Sequence, residues 1–225
     1  MGVRRELRAV LFDLDGTLVD SAPDLLGALA WLRSRHELDP LDYSGLRHHA
    51  SRGAMGLIEA GFKDRPDLDR DRLRKDFLDR YASNLWCDSR TFGGIEDLLR
   101  QVSRCGLGLA VVTNKLKYLA EPLVLAAGWQ SIFDCVVGGD STPMPKPHPA
   151  PVLEACRRLR VHPGQALMIG DDIRDIEAGR RAGCLTAVAG WGYIPPNENP
   201  HQWRAGHVVS RPEDLIKIIF DKNDL

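Results

Sequence analysis

Two aspartates separated by one leucine, Asp13 and Asp15, close the apolar run Val10-Leu11-Phe12 in the stretch VLFDLDGTLVDS, residues 10–21. Side chains alternate along an extended chain, so residues i and i+2 share a side and both carboxylates point into one crevice. Gly16 permits a sharp departure of the backbone, and Thr17 adds a hydroxyl. Two carboxylates held together repel unless a cation or a proton compensates them. A turn with solvated acids is the plain structural reading. Their place behind an apolar strand favours a reactive site, because ligands of open parallel sheets bind beyond the carboxyl ends of the strands.

Three other segments carry chemistry of the same kind. The run Gly108 to Val112 ends in Thr113-Asn114-Lys115. A hydroxyl and a backbone N–H at that point suit phosphate oxygens, while capping of the next helix is the commoner use of such a threonine. Lys146 lies in MPKPHP, residues 144–149, where prolines stiffen the chain and aim a point charge; a surface lysine in a Pro-rich loop fits the same segment. Finally, Gly170 leads into GDDIRDIEAGRRAG, residues 170–183, with Asp171, Asp172 and Asp175 where a strand turns into a helix. Acids cap helix N-termini, but three exceed what a cap requires, and a hard divalent cation accounts for the surplus.

The elements that must position these groups follow from apolar periodicity. Short buried strands are expected at Ala9–Phe12, Leu107–Thr113, Cys135–Val137, Ala166–Ile169, Leu185–Ala189 and His207–Val209, with amphipathic helices between them. Such alternation predicts a parallel sheet covered on both faces. Residues 22–88 break the pattern: Leu25, Leu26, Leu29 and Leu32 mark one helix, Leu73, Phe77, Leu78, Tyr81 and Leu85 another, with no strand between. A helical insert after the first strand is therefore expected, joined by linkers near Ser21 and near Asp88 to Phe92. The Gly- and Pro-rich stretch GWGYIPPNENPHQWRAG, residues 190–206, reads as an ordered loop at a strand end.

Composition narrows the class. The chain has 225 residues, 44% of them apolar, and a net charge of −1, which gives no pull toward nucleic acid or an anionic membrane. Arg33 and Arg35 read as a solvated helix face. Five scattered cysteines without a C-x-x-C pair read as free thiols, mostly small core residues, of a reducing compartment. The apolar run after Arg4, Arg5 and Arg8 is too short for a secretory signal or a membrane span. A cytoplasmic protein, monomer or homodimer, is expected.

Acids, hydroxyl, lysine and acids, each after a different strand, resemble the haloacid dehalogenase-like (HAD) hydrolase superfamily, with DLDGTL, VVTN, Lys146 and GDDIRD as its four motifs. The resemblance spans nearly the whole chain and implies a Rossmann-like doubly wound parallel α/β sheet with an inserted helical cap domain. Residues 1–20 and 89–225 would form the core and 21–88 the cap. Within the superfamily the chain looks most like phosphoglycolate phosphatases and, closer still, N-acetylmuramic acid 6-phosphate phosphatases, on the segments VVTNKLKYLAEP, GDDIRDIEAGRRAG and GYIPPNENPHQW.

The resemblance implies a Mg²⁺-dependent phosphomonoesterase acting on a small phosphorylated metabolite. Asp13 matches the nucleophile and Asp15 the general acid/base. Mg²⁺ would be held by Asp13, the Asp15 backbone carbonyl and Asp171. Asp175, with Asp172, would support metal waters or Lys146, while Thr113, Asn114 and Lys146 would bind the phosphoryl group. Acids outnumber cations in such a site, so at least one carboxyl pKa should be raised, with the leaving-group acid the natural candidate. Arg52, in SRGAMG (residues 51–56) beside a flexible glycine pair, is the candidate reader of a substrate carboxylate, although a solvated arginine fits equally. His48 and His49, adjacent in a helix, should point apart. Trp191, Tyr193 and Trp203 read mainly as packing residues near the site mouth. A sugar phosphomutase is the enzymatic alternative. A receiver-like phospho-Asp signalling domain is the non-enzymatic one, disfavoured by Asp15 and the insert.

Overall fold

The computed structural model describes residues 6–220. Its centre is strand β1 (Ala9–Phe12), whose four residues are all buried. Alternate side chains of β1 enter different layers: Val10 and Phe12 join one hydrophobic cluster, Ala9 and Leu11 another. A strand apolar on both faces needs cover on both.

After β1 come a short strand β2 (Val19–Asp20), helices α1 (Ala22–Arg35), α2 (Gly53–Gly61) and α3 (Arg70–Ala82), and a short strand β3 (Arg90–Thr91). The α/β alternation then resumes: α4 (Ile95–Arg104), β4 (Gly108–Val112), α5 (Lys117–Ala126), β5 (Cys135–Val137), α6 (Ala150–Leu159), β6 (Ala166–Gly170), α7 (Ile173–Ala182), β7 (Leu185–Ala189), β8 (His207–Val209) and α8 (Leu215–Phe220). The main sheet has the order β5-β4-β1-β6-β7-β8, every pairing parallel. The chain leaves β1 toward β4 on one side and returns to β6 on the other. That reversal opens a crevice at the carboxyl end of β1. All six expected strands are present, with bounds within a residue or two.

Helices α1, α2 and α3 share a cluster of Leu25, Leu29, Leu32, Leu57, Ile58, Phe62, Leu73, Phe77 and Tyr81, which also takes in Leu119 and Tyr193 from the sheet side. Strands β2 and β3 pair antiparallel, Val19 with Thr91 and Asp20 with Arg90, so the two linkers run side by side. Asp24, in the first turn of α1, ties them further: its carboxylate accepts from the backbone N–H groups of Cys87, Asp88 and Ser89 and from the Ser89 hydroxyl.

Several expectations about this region are corrected. Arg33 is buried, not solvated; it donates to the Asp64 carboxylate and to the Asp39 and Gly61 carbonyls, whereas Arg35 is exposed over the Trp31 ring. A single exposed-looking charge inside an apolar helix face is legible as buried only once its partners, far along the chain, are known. The glycine pair of SRGAMG is not flexible chain: Arg52 ends a 3-10 helix (Ser44–Arg52), and Gly53 and Gly56 lie within α2. His48 and His49 do not point apart; their rings lie 4.2 Å centroid to centroid, in a segment that is a 3-10 helix. Of the five cysteines, only Cys156 is fully buried, while Cys87 and Cys105 are exposed. No helix among the described residues is long and apolar enough to cross a membrane.

Candidate active site

The chain continues the sheet ladder one residue past β1, with the Asp13 N–H donating to the Ile169 carbonyl at 2.8 Å. It then turns at Gly16, whose φ of 85° suits glycine and whose missing Cβ leaves room for the Asp171 carboxylate. Asp13 therefore sits at the strand tip with its carboxylate facing the ends of the neighbouring strands. Asp171, one residue beyond β6, accepts from the Thr17 hydroxyl at 2.9 Å and from the Tyr193 N–H at 2.7 Å. Thr17 and Tyr193 thus fix both oxygens of a fully buried acid. Tyr193 also links outward: its hydroxyl donates to Asp20 and accepts from the Ala22 N–H. Trp191 donates to the Thr17 carbonyl, and Trp203 packs with Ile176 and Val188 away from the acids.

Lys146 reaches the same point from the Pro-rich loop, through a cis bond to Pro147. Its ammonium lies 2.6 Å from Asp175, 2.9 Å from Asp13 and 2.6 Å from the Val112 carbonyl. Burial acts to lower the Lys146 pKa, but Asp13 and Asp175 overcome it and leave it raised. The surface-lysine reading is thereby set aside. The loop is clamped by Asn114, whose side-chain oxygen accepts from the Lys146 N–H and whose amide donates to the Lys146 carbonyl, both at 2.9 Å. Both polar atoms of the Asn114 side chain are thus engaged in holding the loop. Thr113 does not cap α5: its hydroxyl accepts from the Lys115 N–H, and the α5 terminus is met instead by Asp140, on the Lys117 N–H.

The three acids of GDDIRD divide their work. Asp172 is the N-cap of α7 and forms a capping box with Asp175. Asp172 also grips Arg174 in a two-point ion pair, which outweighs burial and holds its carboxyl below the usual range. Asp175 bonds the Asp172 N–H with one oxygen and Lys146 with the other. Burial pushes Asp175 up to about 7 against the opposing pull of Lys146, and burial together with Asp13 and Asp175 drives Asp171 well above the carboxylate range. The expectation of a raised carboxyl is met, but at Asp171 and Asp175.

Asp13, Asp171 and Asp175 each present an oxygen within 4.8 Å of the others. A buried all-carboxylate set suits a hard divalent cation, and such a cation would relieve the repulsion that raises Asp171. The Asp15 carboxylate lies outside this trio. It accepts from Ser21 and faces Lys115, whose ammonium stands 2.9 and 3.1 Å from its two oxygens.

Above these groups lies a cleft of about 210 Å³ between the sheet and the helical insert. The sheet side supplies Asp13, Asp15, Thr113, Asn114, Lys115, Lys146, Asp172, Arg174 and Asp175; the insert supplies Leu25, residues 50–55, Arg74, Phe77 and Leu78. Arg52 lines the cleft with a side chain 58% exposed and Glu59 at 4.0 Å, so it is solvated and available at once. Arg174 crosses from α7 to the insert and donates to the Ser51 carbonyl at 2.7 Å. Motif reading missed Lys115, Arg74 and Arg174, and took Tyr193, which bonds Asp171 and Asp20, mainly for a packing residue near the site mouth. Only Lys115 had a signal, since it follows directly on Thr113-Asn114.

A family model described as haloacid dehalogenase-like hydrolase matches residues 7–183. The chain belongs to that family. It is 41% identical to the N-acetylmuramic acid 6-phosphate phosphatase of Pseudomonas aeruginosa, over 96% of either chain. It is 38% identical to the phosphoglycolate phosphatase of Xanthomonas campestris pv. campestris, over 92% of this chain and 94% of the relative. The crystal structure of a predicted phosphoglycolate phosphatase from Haemophilus somnus superposes with a TM-score of 0.84 at 29% identity, covering 94% of this chain and 97% of the other. The chain is accordingly an enzyme of the phosphoric monoester hydrolase class.

Proposed function

We propose that this HAD-family phosphatase is Mg²⁺-dependent and hydrolyses a small phosphorylated metabolite through an aspartyl-phosphate on Asp13. The observation that carries the reading is the meeting of Asp13 with Lys146 and Asp171, brought together from two strand ends and a Pro-rich loop, beneath a cleft that Asp13 and Lys146 line. Asp13 attacks phosphorus, and the bond from phosphorus to the leaving oxygen breaks. Asp15 gives that oxygen a proton and later takes one from the water that attacks the aspartyl-phosphate. Lys146 and the Thr113–Asn114 turn hold phosphoryl oxygens as charge shifts among them. Asp13, Asp171 and the Asp15 carbonyl, with Asp175 beside them, would hold Mg²⁺. When bound, the ion supplies charge neutralisation between an anionic nucleophile and a phosphate dianion.

Residues 21–88 act in this reading as a cap domain that closes the cleft and selects the substrate. N-acetylmuramate 6-phosphate and 2-phosphoglycolate each carry a carboxylate besides the phosphate. Arg52 and Arg74, both exposed on the insert side of the cleft, are placed to meet it. The names and high coverage of the two curated relatives support this substrate pair.

The test is phosphate release across a panel of phosphometabolites including both compounds, with and without chelator. Asp13→Asn should fold and lose turnover, and chelation should abolish activity that Mg²⁺ restores. Full turnover of Asp13→Asn, or undiminished turnover after exhaustive chelation, refutes the scheme.

A further inference from the structure

Lys115 is a buried cation that the proposed chemistry leaves without a task. Its side chain is 6% exposed, and its ammonium contacts both oxygens of Asp15. The same ammonium sits 4.4 Å from the centre of the Tyr81 ring. Tyr81 belongs to α3 in the helical insert and is itself buried. Ser21, at the start of the first linker, donates to Oδ1 of Asp15, one of the two oxygens that Lys115 contacts. One acid of the sheet is thus gripped by a lysine of the sheet, and that lysine is roofed by an aromatic ring of the insert. An ammonium over a desolvated aromatic face is attracted to it, so displacement of α3 removes a favourable contact of Lys115.

We propose that Lys115 is a positioning residue for Asp15 and that Tyr81 sets its place, so that seating of α3 over the cleft aligns the acid with the leaving oxygen. Lys115 acts through Asp15 and not on the phosphoryl group, which already has Lys146, 2.9 Å from the nucleophile. The inference rests on Asp15 being the leaving-group acid.

The experiment measures kcat and KM for the best alkyl phosphate of the panel above. Lys115→Met should lower kcat by about 10–100-fold, part of the roughly 10²–10⁴-fold that a general acid supplies, while KM stays within about 3-fold. Introduced into Asp15→Asn, the same substitution should cause no further loss, because its effect runs through the missing acid. Tyr81→Phe keeps the ring and should retain more kcat than Tyr81→Leu, which loses it and should fall in the same direction as Lys115→Met. A rise in KM alone, or an equal kcat loss in the parent and Asp15→Asn backgrounds, overturns the inference. Wild-type turnover by Asp15→Asn alone instead breaks the assignment of Asp15 as the acid. Should Lys115→Met fail to fold, the tyrosine pair decides. A kcat gap between Tyr81→Leu and Tyr81→Phe supports the coupling, and equal kcat values overturn it.

Discussion

Replacing Lys146 by methionine tests whether a buried cation holds the floor of the site together. The ammonium contacts Asp175 at 2.6 Å and Asp13 at 2.9 Å, with Lys146 and Asp175 side chains each 2% exposed. Removing one partner of such a pair costs about 3–5 kcal/mol, because a buried charge is left uncompensated. For a chain of this length 1 kcal/mol is worth roughly 2–4 °C, so the melting temperature should fall by about 6–20 °C at alkaline pH. The loss should depend on pH in a stated direction. Asp175 titrates near 7 when folded, above its ordinary 3.8, so it takes up a proton on folding and its contribution falls as pH rises from about 4 to 7. Lys146 is the pull that keeps this value from going higher. Without it the Asp175 pKa rises and the falling window extends to higher pH. At pH 5.5 Asp175 is neutral in both proteins and the gap narrows to what Asp13 alone contributes. Above pH 7 the gap widens to its full size. Lys146 itself, with its pKa raised, stays charged throughout. Thermal unfolding of both proteins in chelator, from pH 5.5 to 8.5, reads the effect. Melting temperatures within about 2 °C of each other at pH 8.5, or a gap that does not shrink on acidification, would refute the argument.

Gly16→Ala should weaken metal use more than folding: a Cβ there falls 2.1 Å from an Asp171 oxygen, on a backbone with φ of 85°. A shift of that carboxylate should raise the Mg²⁺ needed for half-maximal activity by about 10-fold, in line with disturbance of ligand orientation, and an unchanged Mg²⁺ titration would contradict it. Asp24→Ala strands three backbone N–H groups of the second linker, so urea unfolding should show a loss of about 3 kcal/mol. A loss under about 0.5 kcal/mol, the range of a surface substitution, would mean that the linkers are held by their strand pairing alone.

What the sequence made legible, and what it hid, divides along physical lines. Strands β1, β4 and β6 were readable because a parallel strand buried on both faces must be apolar throughout. Asp13, Lys146 and Asp171 were readable because each breaks such a run, or a stiffened loop, with a charge, and because the four segments together match one motif order although each alone has a plain structural reading. The pair β2 and β3 was not, since two residues on each side carry no periodicity and the pairing joins positions about seventy residues apart. Helix α2 was hidden because Gly53, Gly56 and Gly61 depress helix propensity, and only the apolar contacts of Leu57 and Ile58 with α1 and α3 secure it. Asn114 shows the finer limit. Its residue type announced a polar role in the phosphate turn, but the direction of its side chain depends on a loop 32 residues later, which it clamps instead. Lys115 and Tyr81 carry the point further. Neither is odd where it stands, a lysine in a turn and a tyrosine on an amphipathic helix. Their meaning arises only where the insert closes on the sheet and places one above the other, with the acid beneath. Motifs that recur at strand ends report the chemistry common to such a sheet. The contacts that bind this particular insert to it are written in pairs of unremarkable residues far apart in the chain.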